Sequence, residues 1–86
     1  MKQTAEIELA FDEDGDQTRA HASLVVRGVN FTASGRARRN PTDSDLPLVG
    51  EELGAARALS ELAHRLIEAA TEAISDREGR PVHLNP

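Results

Sequence analysis

The chain has 86 residues, a net charge of −5, no cysteine and 2% aromatic residues. That length admits one domain with a small core, and the missing cysteines exclude disulfides and thiolate metal sites. The negative charge weighs against indiscriminate nucleic-acid binding, and without Trp or Tyr the core must come from Leu, Ile, Val, Ala and two Phe.

Residues 1–6 lead into a polar alternation rather than an apolar stretch, and no segment approaches the ~20 apolar residues of a membrane span, so the cytoplasm is the expected compartment. Residues 5–11 alternate, with Ile7, Leu9 and Phe11 on one side and Glu6, Glu8 and Ala10 on the other, the period of a half-buried strand. The cluster Asp12-Glu13-Asp14-Gly15-Asp16 predicts a turn. Its three Asp residues hint at a calcium loop, but the spacing of an EF-hand is absent and a solvated turn is the better reading. Residues 18–27 form a second alternating strand, and Gly28-Val29 suits a two-residue type II′ hairpin loop. Residues 30–38 form a third strand, with Phe31, Ala33, Gly35 and Ala37 expected to face Val26, Leu24, Ala22 and Ala20.

Residues 39–50 are a loop containing Asn40-Pro41-Thr42-Asp43 and Pro47, read as a rigid crossover that sets the next element on the sheet. From about 51 to 77 the period changes to 3.6 residues, predicting one long helix of about 40 Å. Leu59, Leu62, Ala63, Leu66, Ile67, Ala70 and Ile74 share its expected sheet-facing side, and Glu51 and Glu52 suit its positive end. Gly79 and Pro81 end it, leaving a short tail over 80–86. The fold class is therefore α+β: a three-stranded antiparallel meander followed by one C-terminal helix packed on one sheet face. The apolar arc of the helix is wider than one sheet face requires. Ala55, Ala58, Leu62, Ala69 and Ala73 form one edge of it, small enough to admit a second helix or backbone, and self-association into a homodimer is the preferred reading.

Between Gln17 and Thr42 there is no acidic residue, yet Arg19, His21, Arg27, Arg36, Arg38 and Arg39 all lie there. The hairpin register puts Arg19 opposite Arg38 and His21 opposite Arg36, and like charges across a ladder repel. Two readings follow: an anionic partner such as RNA phosphate, or neutralisation by Glu6 and Glu8 of the neighbouring first strand. The face carries no stacking aromatics of the kind that read single-stranded RNA. His21, His64 and His83 have no metal-ligand spacing, and no nucleophile elbow or phosphate loop occurs. The expectation is a non-enzymatic protein without a cofactor or a metal.

The stretches Ala37-Arg38-Arg39-Asn40-Pro41-Thr42-Asp43, Pro47-Leu48-Val49-Gly50-Glu51-Glu52-Leu53 and Ala56-Arg57-Ala58-Leu59-Ser60-Glu61-Leu62, with Thr18-Arg19-Ala20 and Ala22 before them, resemble a family of short actinobacterial proteins of unknown function. Its mycobacterial members include proteins induced in hypoxic dormancy. The resemblance spans roughly residues 5 to 75. It implies a β-β-β-α fold like the double-stranded-RNA-binding domain without its first helix, a homodimer, and a likeness to ribosome hibernation-promoting factors. Glu51 and Glu52 stand where an RNA-binding domain of this kind carries a basic cluster, which disfavours direct double-stranded RNA binding. A ribosomal surface would be met by Arg19, Arg36, Arg38 and Arg39; the alternative is a dimeric protein-interaction module with no nucleic-acid contact.

Overall fold

The computed structural model describes residues 2–38 and 47–79. Strands β1 (Ile7–Asp14), β2 (Gln17–Val26) and β3 (Val29–Arg38) precede one helix, α1 (Pro47–Glu78). The sheet is antiparallel in the order β1-β2-β3, so the α+β expectation holds. The loop at Asn40-Pro41, Arg39, the tail over 80–86 and His83 lie outside the described residues.

The first hairpin is tighter than the sequence suggests, and the loop of the second lies one residue earlier. Asp12, Glu13 and Asp14 are strand residues, and only Gly15 and Asp16 turn the chain, because Asp14 pairs with Gln17. Of these two only Gly15 has positive φ, at +62°, the order a type II′ loop demands. The second loop is Arg27-Gly28, not Gly28-Val29, because Val26 pairs with Val29. Both of its residues have positive φ, +50° and +81°, as in a type I′ turn. The register therefore slips by two residues from the expected one. Phe31 meets Leu24, Ala33 meets Ala22, Gly35 meets Ala20 and Ala37 meets Thr18. A slip of two preserves which face each side chain occupies, so the alternation is unaffected while every partner changes.

The helix starts at Pro47, four residues before the expected point. Pro suits the first helical position because its missing N–H has no helical partner to lose. Glu51 and Glu52 consequently sit in the second turn rather than at the positive end. At the other end Gly79, at φ +70°, donates its N–H to the Ser75 carbonyl at 2.8 Å, the left-handed cap expected there. With 32 residues the helix runs about 48 Å, against about 34 Å for the ten residues of β3, and overhangs the sheet.

Sheet and helix meet through small residues. Ala20, Ala22, Leu24, Ala33 and Ala37 of the sheet and Ala58 and Leu62 of the helix are buried, and Leu62 is the one large side chain fully enclosed among the described residues. Gly35 lies under Gly54 and Ala58, whose backbones occupy the space a Cβ would need. Ala58 and Leu62, two members of the expected dimer edge, are thus spent on the sheet, and the backbone their small surroundings admit is that of β3. Ala55 and Ala69 are half-buried beside them, and Ala73 is exposed. The row assigned to the sheet divides the other way. Leu62 and Leu66 join the core, whereas Leu59, Ala63, Ala70 and Ile74 face outward. Their order along the chain has the same 3.6-residue period on either side of the helix, so periodicity alone does not choose between two adjacent stripes.

Candidate docking face on the open side of the sheet

α1 covers one face of the sheet, packing on β3 and β2 and leaving β1 largely uncovered. No described element covers the opposite face. Alternation and register place Arg19, His21, Arg36 and Arg38 on it, all exposed, together with Asp12 and Asp14 of β1.

The geometry differs from the expected one in its pairs. Arg19 stands directly opposite Arg36, Gln17 opposite Arg38, and His21 opposite Ser34. His21 Nδ1 and Ser34 Oγ are 3.1 Å apart, a hydrogen bond across the ladder. Across the other ladder Asp12, not Glu8, faces Arg19, while Glu8 faces Ser23 and His21 faces Ala10. The proposed neutralisation by Glu6 and Glu8 is therefore replaced by a single carboxylate beside Arg19. Arg38 Nε reaches Asp16 Oδ2 at 3.8 Å, a long, solvent-exposed pair of small worth. Among the described residues, no carboxylate closes an ion pair with Arg19 or Arg36. The face thus brings together Arg19, Arg36, Arg38 and His21. Arg27 is not among them; it sits in the hairpin loop at the far end of the sheet.

Three features escaped the sequence. Asp16 meets Arg38, Ser34 meets His21, and Arg57 of the helix donates from Nη1 to the Arg36 carbonyl at 2.6 Å, bracing the outer edge of β3. The first two follow once Arg27-Gly28 is read as the loop. The third needs the helix placed over β3. No group of three or more His, Asp and Glu among the described residues could hold a metal ion, and no helix there is long and apolar enough to cross a membrane.

On the helix side of the sheet a second surface stands uncovered. Ile7 is 47% exposed and Phe11 43%, although both point to the same side as the core. On the stripe of α1 turned away from Arg65, Glu68 and Glu72, which lie next to β3, Leu59 and Ile74 are each 36% exposed.

A β-β-β-α protein with an arginine-bearing sheet face that no described element covers is the class these features define. The chain belongs to the Rv2632c-like family, whose model matches residues 3–83. It is 37% identical over 78 residues to the uncharacterised protein Mb1767 of Mycobacterium bovis, covering 91% of this chain and 83% of that one. It is 35% identical over 79 residues to the uncharacterised protein Rv2632c of Mycobacterium tuberculosis, covering 92% and 85%. The crystal structure of Rv2632c superposes with a TM-score of 0.85 at 33% identity, over 94% of this chain and 96% of that one.

Proposed function

We propose that this is a non-enzymatic docking protein that acts as a homodimer and presents its open, arginine-bearing sheet faces to an anionic surface of the ribosome, as a stress- or dormancy-associated, hibernation-like factor. The observation that carries the reading is the pairing of Arg19 directly across from Arg36, with no carboxylate closing on either among the described residues. Like charges so placed destabilise a ladder, and an anion bound between them removes that cost. Guanidinium forks match phosphate oxygens in geometry as well as charge. Without an aromatic on the face, contact is to backbone phosphate rather than to bases.

The homodimer rests on the second surface. The inner side of β1 and the outer flank of α1 together expose Ile7, Phe11, Leu59 and Ile74, while the enclosed core is mostly alanine. A two-fold partner would cover that flank and add the large-residue burial the core lacks.

Co-sedimentation with bacterial ribosomes at low and physiological salt tests the reading. Binding that persists at physiological salt and is lost when Arg36 and Arg38 become Glu supports it. Unchanged binding in that double variant sinks the assignment of the face. The second reading, a dimeric protein-interaction module, draws on Asp12 and Asp14 sharing the face with the arginines, a mixed pattern suited to a protein surface. It predicts no ribosome association at either salt.

A further inference from the structure

The outer edge of β3 carries a feature that neither docking nor dimerisation uses. The Arg36 carbonyl points away from β2, since it accepts from Arg57. Backbone groups alternate in direction along a strand, so those of Asn30, Thr32 and Ser34 point outward as well. No described strand pairs with β3 on that side. Arg57 closes the edge at Arg36, and no described strand covers the stretch from Asn30 to Ser34. Directly beside it a cleft of ≈ 270 Å³ runs between β3 and α1, lined by Asn30, Phe31, Thr32, Arg65, Glu68, Ala69 and Glu72. Its floor is the half-buried Phe31 and Ala69. Arg65 is turned to Glu61, with Nη2 3.6 Å from Oε1. Glu68 and Glu72 have no ion-pair partner among the described residues.

We infer that this edge is a β-strand-addition site for an extended segment carrying Lys or Arg at alternate positions. An unpaired strand edge offers main-chain hydrogen bonds to any extended chain, and the pockets beside it select the alternate side chains. Here those side chains lie under the flank of α1. Their apolar stems cover Phe31 and Ala69 and their charged ends reach Glu68 and Glu72. The spacing agrees: alternate residues of a strand are about 6.8 Å apart, and carboxylates four residues apart on a helix are separated by about 6 Å along its axis. The occupant is a segment of another protein; a second copy pairing edge to edge is the competing occupant. The site is independent of the open face, so either reading stands if the other fails.

The test titrates isotope-labelled full-length protein with the peptide Ac-Thr-Lys-Thr-Lys-Thr-NH2 and follows backbone amide shifts. The inference expects saturable shifts centred on Asn30, Thr32 and Ser34. It expects none of these with Glu in place of the two Lys, and at least tenfold weaker binding when alternate peptide nitrogens are methylated. The variant carrying Glu68→Lys and Glu72→Lys, both exposed, should lose the Lys peptide and gain the Glu peptide with its remaining spectrum intact. Three outcomes overturn the inference: no shifts along β3; equal binding of the methylated peptide, which means charge attraction without strand pairing; or β3 shifts that follow protein concentration without peptide, which means a second copy occupies the edge.

Discussion

At Gly35 the helix and sheet are closest. A Cβ there would collide with the backbone of Gly54 and Ala58, and helix backbone has no rotamer by which to yield. Gly35→Ala should therefore destabilise by about 1–3 kcal/mol as an overpacked core does, read as a fall of at least ~5 °C in the melting temperature. Gly54 offers the opposite case. Its nearest neighbour would be the Ala20 Cβ at 3.5 Å, ordinary contact. Gly54→Ala gains helix propensity, up to ~1 kcal/mol, and the melting temperature should hold or rise. A fall as large as that of Gly35→Ala would mean the helix sits closer to β2 than described. Arg27 provides a third residue-scale test. It occupies φ +50° in a type I′ loop, where Asn is better suited than Arg. Arg27→Asn should raise the melting temperature and leave ribosome association unchanged, because Arg27 is remote from the docking face. Arg36→Thr separates stability from function. Arg36 has only Arg19 across the ladder, whereas Arg19 also faces Asp12, so removing Arg36 relieves repulsion worth about 0.2–1 kcal/mol, and the free protein should melt higher while anion binding weakens. A lower melting temperature would show that the opposed arginines do not strain the ladder.

Among the elements, strand alternation was legible and the partners were not. Ala20, Ala22 and Leu24 fall on one face in any register of even slip, so the sequence pattern holds the core side whichever loop closes the hairpin. The loop itself was not decided by the pattern: Gly28 serves equally as the first residue of a II′ turn or the second of a I′ turn, and Arg27 at positive φ gives no compositional signal. That Arg19, His21, Arg36 and Arg38 share one face was legible for the same reason, while their pairs, and the place of Arg27 in the loop, were not. The helix poses a different ambiguity. An apolar arc too wide for one contact was visible, but alanine sits on both stripes, and only the close approach to Gly35 decides that Ala58 and Leu62 go to the sheet. What this leaves outward has an internal symmetry. If two α1 helices pack antiparallel across a two-fold axis between His64 and Arg65, Leu59 meets Ala70 and Glu52 meets Arg77. Each large residue faces a small one and the terminal charges are opposite. Glu52→Arg and Arg77→Glu should each weaken the dimer several-fold, and the two together should restore it, measured by sedimentation equilibrium. Additive loss in the double variant would exclude this register.

For the molecule as a whole, the two surfaces lie on opposite sides of the sheet, and this separates their effects. Leu24 and Leu62 are the only large aliphatic side chains among the described buried core residues, and each contributes about 1.5–3 kcal/mol; under the proposed homodimer a core this small makes folding depend on assembly. The melting temperature should rise with protein concentration, and Leu59→Glu should abolish that dependence. Under the proposed function, docking gains from the same assembly. A dimer carries two arginine-bearing faces, and where both reach the anionic surface the second contact is intramolecular, strengthening binding without any new residue. Leu59→Glu should therefore weaken ribosome co-sedimentation by roughly tenfold or more, although Leu59 belongs to the helix on the far side of the sheet. The variant carrying Arg36→Glu and Arg38→Glu should do the reverse: lose the ribosome and keep the dimer, its melting temperature still rising with concentration. A Leu59→Glu protein that remains folded, is monomeric and binds ribosomes with unreduced affinity would show that one face suffices. Dimerisation would then serve stability alone.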